Sequence, residues 1–408
     1  MPNDATNRFI KEHRHDDVRK LALQFHSHVD SNIDIPFALT QIESRRSAAA
    51  KIPSWELRDD LVFPPRLALE QCSSENTARY KATLLSGNTF TDLTGGFGVD
   101  FAFIAPNFKK AFYIERQKDL CEIAQHNWKI LGLDSASVEN ADCMEYLQKM
   151  VAVDVIFIDP ARRSMSGEKI IVIENAEPNL LKIQDSLLEK ATTVLIKLSP
   201  MLDITQSLIK LKQVAEVHVV GVDNECKELL FLLKRKQTQE PQIYCVNINT
   251  KGGIEKISFR YSEEKNCPIE YTSEIGKYLY EPNVTLLKAG LFKIPTKMYS
   301  VRKLHPDSHH YTSQELIPNF PGRTFKVDGL SSFNKKELKH FLKYITQANL
   351  TVRNFPIGAV ELKKKLQIAD GGEVFMFATT LATGKHVLVR VSLPGKNTEN
   401  RIGLVFTD

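Results

Sequence analysis

Apolar positions recur at helical spacing over residues 18–25 and again over 33–48, where only Pro36 interrupts the pattern. A further stretch, 53–75, leads into 77–82 with Ser73 or Ser74 as its cap, so residues 1–82 read as a helical segment. Arg45 and Arg46 are both expected on its exposed side. From Leu84 the pattern changes to short β-branched runs alternating with amphipathic helices. Strands are expected at 89–91, 111–114, 136–139, 153–158 and 193–198, then near 217–222 and 228–233. Helices fall between them at 99–105, at 118–133 (closed by Gly132) and at 144–150. Strand, helix, strand in regular succession is the pattern of a parallel sheet with crossover helices, an α/β fold of Rossmann-like type.

Past Pro241 the pattern predicts a hairpin, 242–248 with 256–261, and the sheet domain is expected to run from 83 to about 280. Residues 281–325 look like a small α/β segment, with a helix over 283–289 and a loop carrying His305, His309 and His310. Asp307 is the only acid among those histidines and no cysteine is near, so solvated loop residues are expected there rather than a metal site. The last domain, 326–408, is expected to be α+β, with helices at 334–343 and 359–366 and strands at 348–354, 374–379 and 386–391.

The chemistry gathers at the ends of the predicted strands. Asp92, Glu115, Asp142 and Asp159 each follow a strand directly, and ligands of open α/β sheets bind at that edge. After the first acid comes Thr94-Gly95-Gly96-Phe97-Gly98, glycines where the chain must turn sharply and let a ligand approach. Glu115 lies just over twenty residues beyond Asp92, where a nucleotide-binding βαβ unit places an acid on ribose hydroxyls. A nicotinamide dehydrogenase shares these two features. Its G-x-G-x-x-G is not met, because Phe101 stands where the third glycine would follow Gly96 and Gly98.

The series D-L-T-G-G-F-G, Y-I-E-R, N-A-D-C and F-I-D-P-A-R-R resembles the motif set of class I S-adenosylmethionine-dependent methyltransferases, over about residues 88–233. That resemblance implies S-adenosyl-L-methionine as cofactor. It places Thr94, Gly95, Gly96 and Gly98 at the methionine part, Glu115 at the ribose hydroxyls, and Asp142 with Cys143 beside it at the adenine, and Asp92 and Arg116 are also expected among the cofactor-binding residues. The D-P-A-R-R run, the K-L-S-P strand end, and the later R-N-F-P-I and D-G-G-E-V-F-M-F-A-T-T are similar to a bacterial group of methyltransferases with a helical N-terminal segment and a C-terminal THUMP-like domain. THUMP domains are RNA-binding modules, so this resemblance implies a structured RNA, tRNA or rRNA, as partner.

Enzymes that methylate exocyclic base amines carry a D-P-P-aromatic motif, and Asp159 and Pro160 match it while Ala161 and Arg162 do not. Asp159 with the Pro160 carbonyl is expected to orient a base nitrogen, and Arg162 to stack on a base or grip a phosphate, or else to pair with Glu168 or Glu174. A uridine carbon-5 mechanism needs a cysteine after the next strand, where Lys197-Leu198-Ser199-Pro200 has none. Lys197 is expected to be exposed at its strand end, the alternative being that it faces the site near Asp159. The departure from D-P-P-aromatic also leaves a second reading, an RNA-binding protein with a catalytically inactive methyltransferase-like domain.

Charge sharpens one part of this picture. The whole chain carries a net +5, but residues 281–408 hold nineteen Lys or Arg against ten Asp or Glu, leaving residues 1–280 at −4. A basic last third, with lysines 335, 336, 339, 343, 363, 364 and 365 on two helices, suits contact with a phosphate backbone. The six cysteines show no paired short spacing, which points to reduced thiols, a cytoplasmic location and no metal site. No apolar run approaches the length of a membrane span.

Overall fold

The computed structural model describes residues 2–25, 32–160, 173–250 and 253–395. The chain divides into two compact units, Met1–Val222 with Lys227–Gln242, and Asp223–Cys226 with Ile243–Asp408.

The first unit opens with helices α1 (Asp4–Glu12), α2 (Val18–Gln24), α3 (Ile35–Ala49), α4 (Pro53–Glu56), α5 (Arg66–Gln71) and α6 (Glu75–Ala82). Asn3, Asp17, Asp34 and Ser74 cap α1, α2, α3 and α6, their side chains accepting the first free amides. Pro36 starts α3 rather than interrupting it, because in the first turn its missing N–H has no partner to lose. Arg45 is not on the exposed side. It lies one turn after Gln41 on the inner face of α3, is 5% exposed, and donates to the carbonyls of Arg58, Asp59 and Leu61, whereas Arg46 is exposed. Two amide side chains, Gln41 on α3 and Asn127 on a helix of the following sheet, hold the loop at residues 62–63 between them. Gln41 exchanges hydrogen bonds with the Phe63 main chain at 2.7 and 2.9 Å, and Asn127 does so with Val62 at 2.8 and 3.0 Å. Helices and sheet share one compact unit.

The sheet that follows is built from β1 (Thr89–Asp92), α7 (Val99–Ile104), β2 (Lys110–Glu115), α8 (Lys118–Leu131), β3 (Ala136–Asn140), α9 (Cys143–Lys149), β4 (Val153–Ile158), α10 (Leu180–Lys190), β5 (Ala191–Leu198), α11 (Ile204–Lys210), β6 (Val214–Val222) and β7 (Glu225–Lys234). Its strand order in this unit is β3-β2-β1-β4-β5-β7-β6. β1 to β5 pair in parallel, and β7 runs antiparallel to β5 and lies between it and β6. The chain winds outward from β1 to β3 and then returns to β4, so the order reverses between β1 and β4. That switch point opens a crevice at the carboxyl ends of the strands. A dinucleotide fold would place a further parallel strand beside β5, and the antiparallel β7 takes that place here, which tells against the dehydrogenase reading.

The second unit contains the antiparallel pair β8 (Gln242–Asn249) and β9 (Gly253–Phe259), then α12 (Tyr261–Asn266), β10 (Tyr278–Pro282), α13 (Val284–Ala289), α14 (Ile294–Met298), β11 (Arg302–Lys303), β12 (Tyr311–Ser313), β13 (Gly322–Ser332), α15 (Lys335–Phe341), β14 (Gln347–Val352), α16 (Ala359–Leu366), β15 (Ala369–Thr380) and β16 (His386–Ser392). Its sheet runs β11-β12-β10-β13-β16-β15-β14, with β14 and β15 parallel. One apolar cluster holds Leu279, Phe325, Phe377 and Val389, and another holds Leu350, Leu362, Met376 and Leu388 beneath α15 and α16. The expected solvated histidines are instead packed. His309 stacks on Phe292 at 4.0 Å and His310 is fully buried against Phe377, where burial pushes its imidazole down to about 3. Of the lysines on α15, α16 and the turn after α15, 335, 336, 339, 343, 364 and 365 are exposed, while Lys363 is half-buried and paired with Asp370. Among the described residues no helix is long and apolar enough to cross a membrane.

Candidate active site

The turn after β1 is shaped by what packs behind it. A Cβ on Gly95 would lie 2.2 Å from the Tyr113 ring, and one on Gly98 would lie 2.4 Å from Trp128. Gly98 also has φ +82°, in the left-handed region that glycine enters without strain. Gly96 differs: its φ is +57°, but a Cβ there would meet only the Thr94 carbonyl at 3.8 Å, so its outer side faces open space. Tyr113 donates its hydroxyl hydrogen to the Gly96 carbonyl and fixes the turn from beneath. These are the features of a backbone cradle for a ligand.

The acids of this half are held by backbone amides. Glu115 accepts from Gly96 N at 2.9 Å through Oε2 and from Gln117 N at 2.8 Å through Oε1, which binds the end of β2 to the glycine turn. Asp92 accepts from Thr94 N at 2.9 Å and is almost wholly buried. Burial, with the charges of Asp100, Asp159 and Glu115 behind it, pushes the Asp92 carboxyl well above the usual range. Asp142 caps α9, accepting from Met144 N at 2.8 Å. Beside it, burial pushes the Cys143 thiol up to about 11. Arg116 is exposed and sits 3.5 Å from Glu177. The structure thus brings Asp92, Thr94, Gly95, Gly96, Gly98 and Glu115 into one cradle, with Asp142 and Cys143 at the neighbouring strand end.

Asp159 follows β4, and its amide donates to Thr94 Oγ1 at 2.7 Å, so the acid of the fourth motif is tied to the glycine turn. Pro160 beside it is buried, while Arg162 and Glu168 lie outside the described residues; Glu174 is paired with Lys210. The carboxylate of Asp159 is 24% exposed and meets Lys197, which is 1% exposed: β5 is buried on both faces here, so the lysine is internal rather than exposed at the strand end. Behind Lys197 lies a chain of charges. Lys197 Nζ is 3.7 Å from Asp100, Asp100 is 3.1 Å from Lys81 Nζ and accepts from Ser73 Oγ at 2.7 Å, and Lys81 donates to both oxygens of Glu228 at 2.6 and 2.8 Å. Burial pushes the Asp100 carboxyl up, but Lys81 and Lys197, with Ser73, outweigh it and hold it below the usual range. Lys81 has no exposed surface.

Sequence reasoning missed Ser73, Lys81, Asp100 and Glu228. Lys81 and Glu228 are 147 residues apart, and no local spacing links them. For Lys197 a signal existed: a lysine inside the apolar run V-L-I-K-L of a central strand must find a buried partner. Among the described residues no three His, Cys, Asp or Glu side chains are placed to hold a metal ion.

Residues 278–321 match a family model described as a ferredoxin-like domain, and residues 322–392 match one described as THUMP domain-like. The crystal structure of a Porphyromonas gingivalis W83 protein named as a methyltransferase is 34% identical to this chain. It covers 97% of this chain and 100% of its own, with a TM-score of 0.85. An uncharacterized S-adenosylmethionine-dependent methyltransferase of Mycobacterium tuberculosis H37Rv is 22% identical over 372 residues, 86% of this chain and 95% of its own length. With a relative of that identity matched along its whole length, and the glycine turn and strand-end acids in one cradle, the chain belongs to the class I S-adenosylmethionine-dependent methyltransferases, in the bacterial group that carries a C-terminal THUMP-like domain.

Proposed function

We propose that this protein transfers a methyl group from S-adenosylmethionine to a base nitrogen in a structured RNA, tRNA or rRNA. The observation that carries the reading is the hydrogen bond from Asp159 N to Thr94 Oγ1, which puts the acceptor acid beside the cofactor turn. The cradle suits the cofactor: the open side of Gly96 leaves room for it, and the Glu115 carboxylate is pre-set at the ribose position by two amides. S-adenosylmethionine, bound there, supplies a methyl on a positively charged sulfur, which keeps the S–C electron pair as the methyl leaves.

The chain's own residues then have little covalent work and mainly hold geometry. Asp159 Oδ2 is engaged by Lys197, and among the described residues Oδ1 accepts no hydrogen bond, so it can take one from the target N–H. As the nitrogen lone pair forms the N–CH3 bond, the N–H proton passes to that oxygen. Arg162 follows in sequence and supplies a planar cation for base or phosphate. The RNA contact is assigned to the exposed lysines of α15, α16 and the turn between α15 and β14, by the chemistry of phosphate neutralisation.

The test is labelled-methyl transfer into RNA from cells lacking this protein, followed by nucleoside mass spectrometry. Asp159→Ala should lose transfer at least about 100-fold, a typical contribution of a positioned acid or base, while S-adenosylhomocysteine affinity stays within threefold. Label in base-modified nucleosides supports the reading. Label surviving alkali as 2′-O-methylated dinucleotides contradicts the nitrogen assignment, and RNA binding with no transfer to any RNA favours the inactive-domain alternative.

A further inference from the structure

Asp159 does not stand alone, and its partner is unusual in where it comes from. A lysine that is 1% exposed on a central parallel strand has given up its hydration, so its ammonium needs carboxylates around it. Among the described residues two carboxylates face Lys197: Asp159 in direct contact and Asp100 at 3.7 Å. Asp100 is itself over-determined by Lys81 and Ser73 from the helical segment, and Lys81 is pinned by both oxygens of Glu228 on β7. Two cations and three carboxylates alternate from a fully buried end to a single partly exposed member, Asp159. Charges buried so completely are expensive, and hydrophobic residues of similar size would be at least as stable. What such a chain does supply is rigidity at its exposed end, because each member has its rotamer fixed by the one behind it.

We propose that Lys197 is a positioning residue for methyl transfer: anchored through Asp100 and Lys81, it fixes one oxygen of Asp159 and turns the other towards the substrate. This rests on the methyl-transfer reading above. Lys197 is itself too buried to meet the substrate, so it acts through Asp159. The proposal also gives the N-terminal helices a part in catalysis, since Ser73 and Lys81 brace Asp100 from the end of that segment.

Two variants separate positioning from packing. Lys197→Met keeps the length and apolar stem of the side chain but cannot donate. It should lower kcat for labelled-methyl transfer into RNA from cells lacking this protein at least about 50-fold, with KM for that RNA and the dissociation constant of S-adenosylhomocysteine within threefold. Lys197→Ala leaves a space for a small cation, so tens of millimolar methylammonium should restore part of the rate and methanol should not. Wild-type kcat in Lys197→Met, or equal rescue by methanol and methylammonium, overturns the proposal, since either result reduces Lys197 to volume. If the wild-type protein labels no RNA, the RNA reading fails on its own, and crystal structures of wild type and Lys197→Met decide the matter. An Asp159 side chain that turns away or loses order in the variant supports positioning, and an unmoved one overturns it.

Discussion

The two halves of the sheet edge hold their acids by different means. On the cofactor side, Glu115, Asp92 and Asp142 are fixed by backbone amides of Gly96, Gln117, Thr94 and Met144, all within twenty residues of the acid they hold. On the side proposed for the acceptor, Asp159 and Asp100 are fixed by lysine side chains brought from α6 and β5. Backbone amides are present whatever the sequence, so the cofactor half needs only the right turn. The acceptor half needs specific side chains from distant segments, and it exists only once the whole unit has folded.

The largest effect expected from this contrast is on stability. Lys81→Met leaves Glu228 buried without its cation, and removal of one partner of a buried pair costs about 3–5 kcal/mol. Urea unfolding should show that loss, and Lys81→Met with Glu228→Leu should recover much of it, because the orphaned charge goes too. A loss under about 1 kcal/mol would mean that the acceptor half does not depend on its ion chain. Next in size is Glu115→Gln. The new amide can accept from only one of Gly96 N and Gln117 N and must point an N–H at the other, so the cradle opens. S-adenosylhomocysteine affinity should fall about 10- to 100-fold, the worth of one hydrogen bond to a charged group, with the fold intact by circular dichroism.

A smaller, pH-dependent effect belongs to Asp92. Its folded-state carboxyl lies well above the usual value, mainly through burial, so folding opposes its ionisation. An acid of this kind costs nothing while protonated in both states, and its cost grows as pH rises above the unfolded value near 4. Asp92→Asn keeps the acceptor for Thr94 N without the charge. The stability of Asp92→Asn minus that of wild type should therefore increase from pH 4 to pH 6, by on the order of 1 kcal/mol. A difference that is flat or falls over that range would show that Asp92 ionises freely in the folded protein.

The same contrast explains what the sequence disclosed. The glycine turn, Glu115 and the alternation of strands and helices were legible because their constraints act over a few residues: a strand stops, glycine permits the turn, and an acid follows the next strand. The burial of Lys197 was misread because a lysine near a strand end is usually wet, and its partners Asp159 and Asp100 come from other parts of the chain. Arg45 was misread for the same reason, since the loop carbonyls it binds lie thirteen to sixteen residues on. Pro36 is a different case: it was read as an interruption of a helix beginning at residue 33, whereas it sits in the first turn of a helix that begins at Ile35. The histidines of residues 305–310 show the limit most plainly. Their loop looks polar in sequence, yet Phe292 arrives from another element to stack on His309 and Phe377 to bury His310.

The central claim is that the glycine turn and the strand-end acids form a site for S-adenosylmethionine, with the Asp159 carboxylate beside it held by a buried lysine. Isothermal titration of the purified full chain with S-adenosylhomocysteine, with NADH as the control, tests it most directly. Micromolar binding of S-adenosylhomocysteine and none of NADH is the expected result. Absence of S-adenosylhomocysteine binding, or binding of NADH in its place, would contradict the account at its base.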